Sequence, residues 1–226
     1  MRQHLLIDAD DTLWENNIYF ERAFHAFCEF LDHSSLTPAQ IRQFLDGIEL
    51  INIQVNGYGA RNFGRNMVEC FHQLAEREVS SADADYVTSL AERILEHPLE
   101  IIAGVPETLE YLAARHDLLL VTKGDPHEQR AKVDASGLSR HFREVIVVRE
   151  KDRGAYCRVV ADHRLDAGLS WMIGNSPKSD INPALEAGLG AVYVPHPRTW
   201  HLEHQEVAES TRLHVVTGFP ELQRLF

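Results

Sequence analysis

Five short apolar runs, each ending in a polar or acidic cluster, constrain the fold of this chain more than any other feature. His4-Leu5-Leu6-Ile7 runs into Asp8, Leu118-Leu119-Leu120-Val121 into Thr122, and Val145-Ile146-Val147-Val148 into Arg149-Glu150-Lys151. Trp171-Met172-Ile173 meets Gly174-Asn175, and Ala191-Val192-Tyr193-Val194 meets Pro195. Runs that are apolar on both faces suit buried parallel strands. The stretches between them have helical punctuation. Pro106 opens a segment to Arg115, Asp125 caps one that Gly137 stops, residues 153–163 form another, and Gly188 ends one through Pro183 to Ala187. Strand alternating with helix predicts an α/β core with a mainly parallel, Rossmann-like sheet. Leu213 to Val216 is expected as a last edge strand, and Pro220 to Phe226 as a short final helix.

The alternation fails between Glu15 and Pro98. Phe20, Phe24, Phe27 and Leu31 share one helical face, and Thr37-Pro38 starts a second helix containing Ile41, Phe44, Leu45 and Ile48. A third helix is expected over residues 62–78, and Ser81 is expected to cap a fourth that ends near Glu96. The predicted organisation is therefore an α/β core, residues 1–14 and 99–226, interrupted by an all-helical insertion, residues 15–98.

Charge narrows the functions. The formal net charge of −12 repels nucleic acid and anionic membrane surfaces. It also repels small anions, so a phosphate site in this chain needs a metal ion or a lysine. Three cysteines, far apart and without a CxxC pair, are expected as free thiols. No apolar run approaches the roughly 20 residues of a membrane span. Asp8 ends the first run too early for a signal peptide, so the expected location is cytoplasmic.

Ligands of an open parallel sheet bind beyond the carboxyl ends of its strands. There the sequence puts Asp8, Asp10 and Thr12, then Thr122, then Lys151, then Asn175 and Asp180. Two carboxylates as close as Asp8 and Asp10 repel each other once they lose hydration. They call for a cation between them or for split pKa values. A carboxylate can attack phosphorus, and a second can protonate the leaving oxygen and then deprotonate water. Hard oxygen ligands favour Mg²⁺.

The string LLIDADDTLW resembles the first motif of the haloacid dehalogenase-like hydrolase superfamily, a strand followed by DxDxT. Val121-Thr122 resembles the second motif, Lys151 the third, and Gly174 through Asp180 the fourth, usually a GDSxxxD-type loop. The resemblance covers roughly residues 3–14 and 100–195. It implies Asp8 as nucleophile and metal ligand, and Asp10 as acid/base with its carbonyl facing the metal. It further implies Thr122 as a donor to phosphoryl oxygens, Lys151 as the balancing charge, and the 175–180 loop as the rest of an Mg²⁺ site. Asn175 stands where the family usually has Asp, so both Asn175 and Asp180 are expected to face the metal. The insertion resembles the family's helical cap.

Dehalogenases of the superfamily lack an acid/base at the position of Asp10, so its presence favours phosphate esters, with phosphomutase or dehalogenase chemistry as the alternative within the superfamily. Within the same resemblance, the non-catalytic alternative rests on Asn175 alone. The expected reaction is hydrolysis of a small phosphorylated metabolite. Expected substrate contacts are Thr12 and Trp14 beside the first motif, Lys123 after Thr122, and Arg61 or Asn62 in the glycine-rich stretch of the insertion. That stretch reads equally as an ordinary loop. Lys132 is expected as a surface charge, and Lys123 is more simply a solvated lysine. His196, His201 and His204 are expected to be solvated. No GxGxxG fingerprint points to a nicotinamide cofactor, and the oligomeric state is not legible.

Overall fold

A computed structural model describes residues 2–226. The chain divides into two compact units, Met1–Asn17 with Leu99–Phe226, and Ile18–Pro98.

The first unit is built on six strands: β1 (His4–Ile7), β2 (Asp117–Lys123), β3 (Glu144–Val148), β4 (Ser170–Gly174), β5 (Gly190–Tyr193) and β6 (Leu213–Val215). They form one sheet in the order β3-β2-β1-β4-β5-β6, and every pairing is parallel. This is a Rossmann-like sheet with helices. The alternation of β1 explains its central place. Leu5 and Ile7 join one core with Leu118, Leu120 and Ile173, while Leu6 joins the other with Leu119, Val121 and Met172. Leu5, Leu6 and Ile7 are all fully buried. At roughly 1.5–3 kcal/mol for each buried aliphatic side chain, this short strand is anchored by both faces. Leu213 to Val215 forms the edge strand as expected.

Because β1 lies between β2 and β4, the chain reverses its winding there, and a crevice opens at the strands' carboxyl ends. Three elements begin just beyond that edge. The helix Pro126–Ser136 starts from Asp125, whose carboxylate accepts the N–H groups of His127 and Glu128, and stops at the left-handed Gly137. The helix Arg153–Asp162 is capped by Asp152. A single wide π-helical turn, Pro177–Ile181, leads into the short helix Asn182–Glu186. Where the chain leaves the unit and returns, Glu15 N–H donates to the Glu100 carbonyl at 2.9 Å and Ile102 N–H to the Leu13 carbonyl at 3.0 Å.

The second unit is a helical assembly: Asn17–Leu31, Pro38–Asn56, Ala60–Leu74 and Ser81–Glu96. Phe24, Phe27 and Leu31 of the first pack with Ile41, Leu45 and Ile48 of the second, Met67 and Phe71 of the third, and Val87 and Leu90 of the fourth. Phe44 is left 39% exposed. Thr37 forms a capping box with Gln40. The cap of the last helix is Ser80, not the expected Ser81, because its reciprocal partner is Asp83, three residues on.

Glu49 is buried in this helical core, and one of its carboxylate oxygens has no hydrogen-bond partner. Burial pushes its pKa up to about 7; Arg42 opposes the shift, and Asp46 and Glu21 add to it. An acid with a raised folded-state pKa loses stability as pH climbs from its unfolded value through its folded one. Glu49→Gln is therefore expected to melt above the wild type by a margin that grows from about pH 5 to pH 7 and then levels, reaching about 2–3 kcal/mol. Thermal melts across that range check this; a margin independent of pH would contradict it.

Candidate active site

Asp8 begins where β1 ends, and its N–H still donates to the Ile173 carbonyl at 2.9 Å. The carboxylate is thus held at the sheet edge by backbone pairing, 6% exposed. Thr12 Oγ1 donates to Asp8 Oδ2 at 3.0 Å and lies 3.3 Å from Asn175 Oδ1. Lys151 Nζ donates to Asp8 Oδ1 and, at 2.7 Å, to Asp180 Oδ1. Five residues spread over 173 positions of chain thus meet in one buried network.

Two buried carboxylates share one buried ammonium here. Burial and the charge of Asp8 push the Asp180 pKa up to about 7, against the pull of Lys151 and the Ser176 N–H. Burial would lower Lys151, but Asp180 and Asp8 outweigh it and hold the ammonium above its ordinary range. The π-helical turn places Asp180, and Gly174 leaves space for it: a Cβ at residue 174 would overlap the Asp180 carboxylate. Tyr156 closes the base of the network, its hydroxyl donating to the Ser179 carbonyl at 2.8 Å.

Asn175 points its oxygen toward Thr12 and Asp8 because its Nδ2 is tied to Thr199 Oγ1 at 2.9 Å. The donors of Asp8, Asn175 and Asp180 are all hard oxygens, and the two carboxylates repel each other in a buried site. That set suits a hard divalent cation such as Mg²⁺. A second group, Asp11, Glu15 and His196, has ligand-type atoms within 4.8 Å of one another. The protein's own donors account for it: Asp11 accepts the N–H groups of Asn16 and Asn17, and Glu15 pairs with His196 and Arg198.

The other residues singled out in the sequence take these places. Trp14 is fully buried and its indole N–H donates to Asp10 Oδ1 at 2.7 Å, so its ring packs in the core and its one polar atom holds that carboxylate. Lys123 is neither solvated nor open to a phosphate. Its Nζ donates to Glu203 at 2.7 Å, Ser179 at 2.8 Å and Glu150 at 3.3 Å, bracing the π-helical turn from behind. Lys132 is not a free surface charge; its Nζ lies 2.6 and 2.7 Å from the two oxygens of Asp10. His196 is largely buried against Glu15 rather than solvated. Thr122 is 1% exposed near the end of β2, next to β1. In the helical unit, Asn62 donates to the Asn56 carbonyl at 2.7 Å, closing the turn through Gly57 and Gly59, while Arg61 is exposed. Sequence reasoning missed Gln129, Thr199 and Glu203. The charge of Asp10 called for a donor such as Gln129; nothing in the sequence pointed to Thr199, which holds Asn175, or to Glu203, which accepts from Lys123 and Ser176.

Among the described residues, no helix is long and apolar enough to cross a membrane. Phosphoserine phosphatase of Thermus thermophilus is 27% identical over 186 residues, covering 78% of this chain and 70% of that protein. A haloacid dehalogenase-like family hydrolase from Xanthomonas campestris superposes with a TM-score of 0.87 at 33% identity, over 99% of this chain and 90% of that one. The HAD-hydrolase YfnB of Bacillus subtilis, solved with magnesium bound, has a TM-score of 0.71 at 20% identity, over 99% and 98% of the two chains. The model of haloacid dehalogenase-like hydrolases matches residues 3–188, the span that holds β1, the π-helical turn and everything gathered around Asp8. The chain belongs to that family of hydrolases.

Proposed function

We propose that this hydrolase cleaves a phosphate monoester of a small metabolite through an aspartyl-phosphate on Asp8. The observation that carries the proposal is the buried Asp8–Lys151–Asp180 network with Thr12 and the oxygen of Asn175 beside it. In this reading, Asp8 attacks phosphorus and the ester oxygen leaves with a proton from Asp10. Asp10 then takes a proton from water, which attacks the phosphorus of the aspartyl-phosphate, releases inorganic phosphate and restores Asp8. Lys151 offsets the charge of Asp8 and the phosphoryl oxygens, and Thr122 donates to those oxygens.

We assign a Mg²⁺ ion to Asp8, the Asp10 carbonyl, Asn175 and Asp180. When bound, it would supply the positive charge that a chain of net charge −12 needs in order to hold a phosphate. The inserted helical unit is assigned the role of cap, with Arg61 as its candidate substrate contact. The likeness to a phosphoserine phosphatase favours phosphoryl transfer to Asp8 over displacement of a halide from carbon and makes phosphorylated amino acids one class to test, beside sugar phosphates, nucleoside monophosphates and phosphoglycolate.

The test is a panel of those esters with p-nitrophenyl phosphate, run with Mg²⁺ and again after chelation. Turnover that requires the ion is expected. Fluoride release from fluoroacetate with no phosphate release would favour a dehalogenase instead, and inactivity toward the whole panel by the folded protein would contradict catalysis of this kind.

A further inference from the structure

We infer that Lys132, seconded by Gln129, is the positioning residue for the acid/base Asp10; this rests on the phosphatase reading above. The Asp10 carboxylate lies outside the Asp8 network and is held by a different set of donors. Its Oδ1 accepts from Trp14 Nε1 at 2.7 Å and Lys132 Nζ at 2.6 Å, and its Oδ2 accepts from Lys132 Nζ at 2.7 Å and Gln129 Nε2 at 2.9 Å.

The helix Pro126–Ser136 is built to deliver two of these donors. Gln129 and Lys132 are three residues apart, so they share a face. The helix has a Pro start and an Asp125 cap, and Gln129 N–H bonds back to the Asp125 carbonyl at 2.9 Å, fixing the first turn. Gln129 is 5% exposed and its Nε2 also donates to the Lys123 carbonyl at 3.1 Å, so its amide is locked. The Lys132 side chain is a quarter exposed, and its Nζ reaches Asn16 Oδ1 at 3.1 Å as well as Asp10. A lone structural ion pair at a surface does not require three separate side chains to converge on both oxygens of one carboxylate.

The consequence concerns the steps that need Asp10. Fork-like capture of both oxygens limits the carboxylate to one rotamer, and Lys132 supplies the only formal positive charge among its four bonds. Misplacing a proton-transfer group by about an ångström costs on the order of 100-fold, and general acid–base catalysis as a whole contributes about 10²–10⁴-fold.

Loss of Lys132 should therefore be felt in proportion to how much the leaving oxygen needs a proton. An alkyl phosphate needs one to leave; p-nitrophenolate does not. The value of kcat/KM covers only the steps through the first phosphoryl transfer, so the two esters separate the role of Asp10 from general damage.

The experiment measures kcat/KM of the wild type, Lys132→Met, Asp10→Asn and the double variant on an alkyl phosphate from the accepted substrates and on p-nitrophenyl phosphate, after thermal melts confirm folding. For Lys132→Met the expected loss is about 30- to 100-fold on the alkyl ester and about threefold on the aryl ester. The double variant should match Asp10→Asn within about twofold, because Lys132 acts through that carboxylate. Should Lys132→Met not fold, Lys132→Gln, which keeps a donor without the charge, carries the same comparison. Equal losses on the two esters, or losses that multiply in the double variant, would overturn the assignment while leaving the phosphatase reading standing. Wild-type inactivity on both esters would overturn the phosphatase reading and this assignment with it.

Discussion

Asp8→Asn is expected to lose turnover of every accepted phosphate ester by about four orders of magnitude or more, while its melting temperature stays within a few degrees of the wild type. The amide keeps the shape of the carboxylate and an oxygen to accept from Thr12, but it cannot donate an electron pair to phosphorus as a carboxylate does. The structural cost is small for a reason visible in the network. Lys151 keeps Asp180 as its partner at 2.7 Å. Asp180, whose pKa is pushed up to about 7 partly by the charge of Asp8, is relieved of that repulsion. Steady-state assays on the panel, with thermal melts alongside, check both halves. A folded variant retaining a tenth of wild-type activity would take the nucleophile's role away from Asp8.

Lys151→Met should damage both function and fold. It leaves Asp8 and Asp180, both nearly without solvent, as two carboxylates with no ammonium between them. Removing one partner of a buried ion pair costs about 3–5 kcal/mol, far more than the loss of a surface charge. The effect should depend on pH with a fixed sign. Without Lys151 one carboxyl of the pair holds its proton more tightly than in the unfolded chain, so stability falls as pH rises through that raised value. The variant should be nearest to the wild type at about pH 5 and furthest at about pH 8. In activity, a loss of at least about 100-fold is expected, since charge offset at the reacting centre is the largest contribution a group of this kind makes. Chemical denaturation at the two pH values and assays of the folded variant decide it; a stability loss under 1 kcal/mol at both would mean that the pair contributes little.

Much of this architecture was legible because β1, β2, β4 and β5 are short and largely buried on both sides, while the edge strand β3 keeps the same apolar run though only half-buried. The only sequence pattern compatible with that is an unbroken apolar run, and the runs fall where the strands do. The polar residues that end them meet because a parallel sheet places successive carboxyl ends on one edge. Asp8, Lys151, Asn175 and Asp180 follow from that rule alone. The donors around Asp10 do not. Lys132 is 122 residues from Asp10 in sequence, and nothing in Gln129-Arg130-Ala131-Lys132 distinguishes it from an ordinary solvated helix face. Trp14 beside the acidic motif suggested a substrate contact, yet its ring is more useful in the core with one polar atom directed at Asp10. Lys123 and Glu203 are 80 residues apart, and their pairing depends on how the loop after β5 folds back over the π-helical turn. The Ser80 cap shows the same limit at short range. Ser80 and Ser81 are equal as caps until the side chain of Asp83 chooses between them.

The claim on which the rest depends is that phosphorus becomes bonded to Asp8 during turnover. It is tested most directly by mixing the enzyme with an accepted phosphate ester and Mg²⁺, reducing with borohydride within the first turnovers, and mapping the digested chain by mass spectrometry. An aspartyl-phosphate is reduced to homoserine, so the account predicts homoserine at position 8, dependent on substrate and absent from Asp8→Asn. Unmodified aspartate at position 8 in samples releasing phosphate at the full rate, or homoserine at another carboxylate, would contradict it.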